Sequence, residues 1–297
     1  MRSLTVAKKE DEILEIKKQG NFAAVLHRLK KNKTAMAGLI IFIILAVIAI
    51  FSQWLMPYPY EQMDMTSMYS VPSITHWFGT DDLGRDILSR IMYGGRYSLS
   101  IGLLATSFSL VIGMAIGAVA GYFGGAVDNI IMRLMDIIQA VPGLLLTIAI
   151  SAVLGSGFDK TIMALGLSNI PNYVRILRAS IMSIRKMEYL EAAESIRCSK
   201  LRIIMRHALP NALSPVIVQA TMGVANTVLT AASLSFIGLG VQPPTPEWGA
   251  MLSAGRNFIR DYPHMVMFPG IFIMITVLSL NMLGDGLRDA LDPKLKD

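Results

Sequence analysis

Three aspartates, Asp81, Asp82 and Asp86, follow closely on His76 in a chain of 297 residues. Such donors could hold a metal ion, but Asp-Asp-Leu-Gly is also ordinary turn and helix-capping chemistry, and that structural role is the expectation. The four histidines, His27, His76, His207 and His264, are too scattered for a local metal pair. The single cysteine, Cys198, excludes a disulfide framework and a multi-cysteine zinc site. No G-x-S-x-G nucleophile elbow occurs, nor a phosphate-binding G-x-x-x-x-G-K-[ST] loop, and no glycine precedes a lysine anywhere. No catalytic residue and no metal ligand is expected, so any work the chain does draws its energy from elsewhere.

A second group is more informative. Glu188, Glu191 and Glu194 recur at three-residue spacing, which places them on one face of a helical turn. Ile196, Leu201, Ile203, Ile204 and Met205 punctuate the stretch that follows, and Pro210 is expected to end it. This predicts a short amphipathic helix, either a solvated loop element or a docking surface for a partner.

The elements that must carry these residues follow from the distribution of charge. The composition is 53% hydrophobic and only 16% charged, with a mean hydropathy of +0.52, against roughly 25% charged in ordinary soluble domains. No Asp, Glu, Lys or Arg occurs in Thr34–Tyr60, Tyr97–Val127, Ile137–Phe158, Thr161–Val174, Ala208–Pro246 or Tyr262–Gly284. A bilayer core about 30 Å thick needs roughly 20 apolar helical residues to cross it. All but Thr161–Val174 are long enough for a span. The fold class expected is an all-α integral membrane protein with six spans near 35–56, 98–122, 130–154, 162–184, 212–236 and 265–283.

The formal charge of +6 could suggest nucleic acid, but in a membrane chain it first reports topology. With these six spans, 21 of the 27 Lys and Arg residues fall on one side and 6 on the other, which puts both termini in the cytoplasm. The apolar run Ala35–Phe51 exceeds a signal-peptide core and is followed by Ser52-Gln53-Trp54, no small-residue cleavage site, so it reads as an uncleaved span. Trp54, Tyr58 and Tyr60 beyond it suit an interfacial belt. The organisation expected is therefore a basic cytoplasmic segment 1–34, a first span 35–56, an extracytoplasmic loop 57–97, a multi-span region 98–284 with a cytoplasmic loop near 185–211, and a cytoplasmic tail 285–297.

Small residues recur every four positions in the second span: Ala105, Ser109, Gly113, Gly117 and Gly121. Such a stripe admits close helix–helix packing, which drives association in lipid. Asp128, Arg133, Asp136, Arg175 and Arg178 are the ionisable residues nearest the spans, expected near the inner interface where pairing and snorkelling reduce their cost. They form no chain of buried acids of the kind an ion-driven transporter needs.

Four blocks of sequence carry a resemblance. Glu191-Ala192-Ala193, followed by Ala208-Leu209-Pro210, resembles the EAA loop of binding-protein-dependent ABC importer permeases. His76–Leu99 (HWFGTDDLGRDILSRIMYGGRYSL), Ser233–Arg256 (SLSFIGLGVQPPTPEWGAMLSAGR) and Leu291–Lys294 (LDPK) resemble the C-type permease of dipeptide, oligopeptide and nickel importers. The likeness runs from about residue 25 to the C-terminus. It implies the type I importer permease fold in the cytoplasmic membrane of a prokaryote. It further implies a heterodimer with a second homologous permease, two ATP-binding subunits that hold the ATP and Mg this chain lacks, and an extracytoplasmic substrate-binding protein.

On this resemblance Glu191, Ala192, Ala193, Arg197, Leu209 and Pro210 belong to the ATPase-coupling loop. Gly79, Asp81, Asp82, Gly84, Arg85, Asp86, Pro243, Pro244 and Trp248 belong to outer, receptor-facing loops. Di- or oligopeptides are the expected cargo, with nickel or a nickel chelate as the alternative. A stand-alone channel or ion-driven carrier is the competing class. One departure stands out: the family pattern carries a glycine six residues after the glutamate, where this chain has Arg197. If that glycine serves a positive φ between two short helices, arginine should cost about 1 kcal/mol there.

Overall fold

The computed structural model describes residues 21–291, with side chains from residue 25. Most of the basic segment 1–34 and the end of the Leu291–Lys294 block lie outside the described residues. Among those described, the regular structure is helical, and a single isolated bridge joins Thr80 to Asp86.

Helix α1 (Asn21–Lys31) precedes α2 (Lys33–Ile50), which Asn32 caps by accepting from the Thr34 and Ala35 amides at 3.1 and 3.2 Å. A short turn, α3 (Ser52–Leu55), leads into the loop before α4 (Ile87–Phe123). At 37 residues α4 is roughly 55 Å long, so it outreaches a bilayer core. It begins at Ile87, earlier than the expected span 98–122. The charge-free run marks only the apolar part of this helix, whose first turns carry Arg90 and Arg96 yet bury Ile87 and Ile91.

The expected third span is two helices, α5 (Gly125–Gln139) and α6 (Gly143–Leu154), meeting at 83°. Pro142 lies at the break: proline disfavours helical backbone in the residue before it and has no amide to donate. Helix α7 (Phe158–Ile184) extends well beyond the charge-free stretch that hinted at it. It is about 40 Å long, long enough to cross, but Ser168, Asn169, Asn172, Arg175 and Arg178 make it less apolar than the others. Then come α8 (Glu188–Ser195), α9 (Lys200–Ile203), a π-helical segment (Ile204–Ala208) and α10 (Leu209–Phe236). The described residues end with α11 (Trp248–Gly255) and α12 (His264–Leu291). Among the described residues four helices are long and apolar enough to span by themselves: α2, α4, the continuous α9–α10 and α12; the bent α5–α6 pair is a fifth candidate.

Pro210 does not end the loop. It sits in the first turn of α10, within one continuous helix from Lys200 to Phe236. Its missing N–H and bulky ring cannot be accommodated in a regular ladder. The preceding turn widens accordingly, the Leu209 amide reaching back five residues to the Ile204 carbonyl.

The closest pairing in the bundle is α4 on α7. Ala105, Ser109, Gly113, Gly117 and Gly121 are all buried and run along this contact. The Ser109 hydroxyl donates to the Gly166 carbonyl at 2.7 Å. At Gly117 a Cβ would stand 2.7 Å from the Val174 carbonyl oxygen, and at Gly113 one would stand 2.5 Å from the Tyr173 Cβ. Only hydrogen fits where the two backbones meet. Elsewhere α2 packs on α12, with Gly38 against the Ser279 carbonyl, and α10 fills the space between α4 and α12.

Candidate functional site

The EAA segment forms α8, whose two faces have different surroundings. Leu190 and Ala193 are buried, 2% and 6% exposed, in a cluster with Tyr122, Tyr173, Leu177, Ile181, Ile203, Ile204 and Ala208. Glu188, Tyr189, Glu191 and Ala192 point outward. The two alanines of the motif thus differ: Ala192 is on the exposed surface, while Ala193 packs against the bundle. Glu188 and Glu191 occupy the first turn, where the helix dipole favours negative charge. Glu194 accepts from the Tyr122 hydroxyl at 2.9 Å, which ties α8 to the end of α4. Leu209 packs on the same core, and Pro210 is exposed.

Arg197 has φ of 56°, in the left-handed region. Its amide donates to the Glu194 carbonyl at 2.9 Å and the Cys198 amide to the Ala193 carbonyl at 3.1 Å. These two bonds make a Schellman motif, with Arg197 at the position glycine usually holds. Cys198 and Ala193 supply its apolar contact in the same core cluster. Ser199 then caps α9, accepting from the Arg202 amide. Ile196, Leu201 and Met205, exposed by 76%, 71% and 58%, extend the outward surface beyond α8.

The opposite end of the bundle is built on the GTDDLGRD block. Asp81 Oδ1 accepts from the Leu83 and Arg85 amides, both at 2.9 Å, and Oδ2 accepts from Arg85 Nε at 2.7 Å. Arg90 Nε lies 3.4 Å from the same oxygen. Asp86 caps α4 by accepting from the Ser89 amide and hydroxyl, and its other oxygen is 2.9 Å from His76 Nδ1. Asp82 Oδ1 is 3.6 Å from Arg85 Nη2. Gly79 and Gly84 both have positive φ, and a Cβ at Gly84 would fall 1.8 Å from the Asp64 carbonyl oxygen. Asp64 accepts from Ser67 and Thr66, and those bonds hold its carboxyl down at about 2. These aspartates shape a turn and start a helix. Among the described residues no three His, Cys, Asp or Glu side chains converge as metal ligands would.

Trp248 faces inward: it is 2% exposed, lies over Gly95, and donates its indole N–H to the Ile91 carbonyl at 2.9 Å. Asp81, Arg85 and Asp86 are likewise buried, whereas Pro243 and Pro244, joined by a cis bond, are exposed. The side chains expected on outer loops therefore mostly build those loops rather than present themselves. Sequence reasoning missed Glu247 and Ser98. Glu247 is fully buried and caps α11 by accepting from the Gly249 and Ala250 amides and from the Ser98 hydroxyl. The Ser98 oxygen in turn accepts from the Trp248 amide. Burial pushes the Glu247 carboxyl up, against those bonds. An acid directly before Trp-Gly and after a proline was a readable cap signal.

Four of the five charged residues near the spans are paired. Arg178 makes a two-pronged pair with Asp128, and Arg175 Nη2 donates to Asp136 at 2.6 Å. Both pairs join α5 to α7.

Comparison with known proteins bears directly on this architecture. The family model described as the binding-protein-dependent transport system inner membrane component matches residues 113–297, and the N-terminal TM domain of oligopeptide transport permease C matches residues 21–72. The chain is 48% identical over 269 residues to the dipeptide transport system permease protein DppC of Alkalihalophilus pseudofirmus, covering 91% of this chain and 88% of that protein. It is 45% identical over 270 residues to the glutathione transport system permease protein GsiD of Escherichia coli, covering 91% and 89%. Among solved structures, the inward-facing MetNI methionine ABC transporter matches with a TM-score of 0.58 at 17% identity, over 69% of this chain and 98% of that one. An amino acid ABC transporter matches with a TM-score of 0.54 at 16% identity, over 68% and 94%. The fold is thus that of type I ABC importer permeases. A multi-pass helical chain without catalytic machinery of its own, matched by the family model over its C-terminal two-thirds and by permeases over nine-tenths of its length, belongs to the binding-protein-dependent inner membrane components of ABC importers.

Proposed function

We propose that this chain is the C-type permease of an ATP-driven importer of di- or oligopeptides and that α8 is where it takes up the motion of a separate ATPase. The observation that carries the reading is the two-sided setting of α8. Leu190, Ala193 and the Tyr122–Glu194 bond fix it to α4, α7 and the π segment, while Glu188, Glu191 and Ala192 stand free for a partner. The names of the peptide and glutathione permeases, at 48% and 45% identity, support a peptide cargo.

In this reading a second homologous permease completes the pathway, and two ATP-binding subunits hold ATP and Mg. An extracytoplasmic binding protein delivers the peptide to the end of the bundle that carries residues 57–97 and 238–263. The excess of Lys and Arg around α8 and at the N-terminus supports a cytoplasmic location for that end and for both termini. Uptake of a labelled dipeptide by right-side-out vesicles, with ATP inside on the α8 side and the binding protein supplied outside, tests it. Glu191→Lys should cut ATP-dependent uptake severalfold while the protein still inserts and assembles in the membrane. Undiminished uptake in that variant refutes the docking role.

A further inference from the structure

The outward surface of α5 is divided into two strips. At about 100° per residue, Val127, Ile130, Leu134 and Ile137 fall on one side, and all are exposed. Arg133, Asp136 and Gln139 fall between that apolar strip and the buried side marked by Asp128 and Met135. The polar strip continues across the helix contact onto α7. Arg175 bonds Asp136 at 2.6 Å, and the Gln139 side-chain amide donates to Asn172 Oδ1 at 2.9 Å. Unlike the Asp128–Arg178 pair beneath it, this pair is open: the Arg175 and Asp136 side chains keep 43% and 50% of their surface. Asn172, Gln139 and Arg133 are exposed as well.

The depth of this strip decides what can cover it. Arg175 stands nine residues before the end of α7 at Ile184, roughly 13 Å along the axis. Gln139 is the last residue of α5 before the 83° break. Charged and amide groups so far from the helix end do not face hydrocarbon; in membrane proteins they face water-filled pathways or one another. These have already satisfied one another on one side and leave the other side open.

We infer that Asp136, Gln139, Asn172 and Arg175 form a wet strip of the translocation pathway, where Arg175 meets the carboxylate and Asp136 the ammonium of a passing zwitterionic peptide. The ion pair is preformed, so each partner keeps a counter-charge before the cargo arrives and after it leaves. Arg133, also exposed and with no acidic partner among the described residues, tilts the strip toward the carboxylate end. The peptide part of this inference rests on the cargo proposed above; the wet strip does not.

The test uses the assembled importer in sealed proteoliposomes, with Cys198→Ala as background. Asn172→Cys and Ile130→Cys, one in each strip of the α5–α7 surface, are reacted with a membrane-impermeant cationic thiosulfonate. Asn172→Cys should react at least about tenfold faster, because the charged reagent does not enter lipid. A dipeptide supplied with its binding protein and ATP should slow that reaction, whereas the same dipeptide without ATP should not. Reaction of Asn172→Cys no faster than that of Ile130→Cys overturns the wet strip, whether lipid or the second permease covers it. Rapid reaction without slowing by a dipeptide that is being taken up overturns the cargo contact. If the unmodified importer takes up no peptide, the proposed cargo fails, and the comparison of the two cysteines still decides the strip.

Discussion

Replacing Arg197 by glycine should tighten the turn between α8 and α9. Arg197 holds a left-handed φ of 56°, which costs an L-residue roughly 1–2 kcal/mol. Glycine adopts it freely but has more freedom in the opened state, returning roughly 0.4–1 kcal/mol. The guanidinium is exposed and makes no ion pair or hydrogen bond with the described residues, so the substitution removes no contact. The balance is about 1 kcal/mol in favour of the closed turn, or about fivefold in its opening equilibrium. Hydrogen–deuterium exchange of the importer in nanodiscs reads this directly. The Ile196, Arg197 and Cys198 amides, bonded to the Ala192, Glu194 and Ala193 carbonyls, should exchange about fivefold more slowly in Arg197→Gly. Arg197→Ala keeps the strained φ and should show no such slowing. Equal or faster exchange in the glycine variant would refute the assignment of strain to this turn.

Other expectations follow from the packing and the caps. Gly117→Val puts a branched side chain where Val174 O lies 2.7 Å from a Cβ; it should force α4 and α7 apart at a cost of about 1–3 kcal/mol, visible as a lower thermal midpoint of the purified complex. Glu247→Gln replaces the oxygen that accepts from the Ala250 amide by an NH2 group, leaving donors face to face. A loss of about 1–3 kcal/mol is expected. Because burial raises the Glu247 carboxyl above its ordinary 4.5, the folded state binds the proton more tightly than the unfolded. Its contribution is therefore full below 4.5 and declines as pH rises through the raised value. The midpoint difference between wild type and Glu247→Gln should change with pH in that sense, and a pH-independent difference would contradict the assignment.

Charge-free runs found the membrane but not the ends of the helices. Runs without Asp, Glu, Lys or Arg report which residues tolerate hydrocarbon, whereas a helix stops only where its backbone bonds stop. So α4 extends N-terminally through Arg90 to its Asp86 cap, and α7 extends C-terminally through Arg175 and Arg178 once Asp136 and Asp128 pair with them. The bend between α5 and α6 was signalled by Val141-Pro142, but the apolar residues on both sides hid it. The small-residue stripe of α4 was plain because packing of two backbones leaves a strict four-residue period. Its partner was not, since nothing in a stripe names the helix that meets it. In the loop before α10 the glutamate spacing pointed to α8, and the absent glycine pointed to a positive φ, which Arg197 adopts nonetheless. What stayed hidden was that Ala193 faces inward and that Pro210 sits inside a helix, both of which depend on tertiary contacts with α4 and α7.

The same contacts bear on how a push at α8 would travel. A helix of eight residues cannot act as a lever unless something rigid holds it, and α8 has two holds: the Leu190–Ala193 face against α7 and the π segment, and the Tyr122–Glu194 bond to α4. Since α4 and α7 meet backbone to backbone along Gly113, Gly117 and Gly121, they have no side-chain layer between them to absorb a displacement. Helix α10 is different. The π segment leads into it and its first turns contain Pro210 and Pro215, so the backbone ladder is interrupted where the loop joins it. A force on α8 thus meets a stiff pair on one side and a helix built to bend on the other. The far end of α4 is pinned by Asp86, Ser98 and the Trp248 indole. Motion of the α4–α7 pair must therefore carry the α11 loop with it, which links the two ends of the bundle through one packed contact rather than through a chain of polar relays.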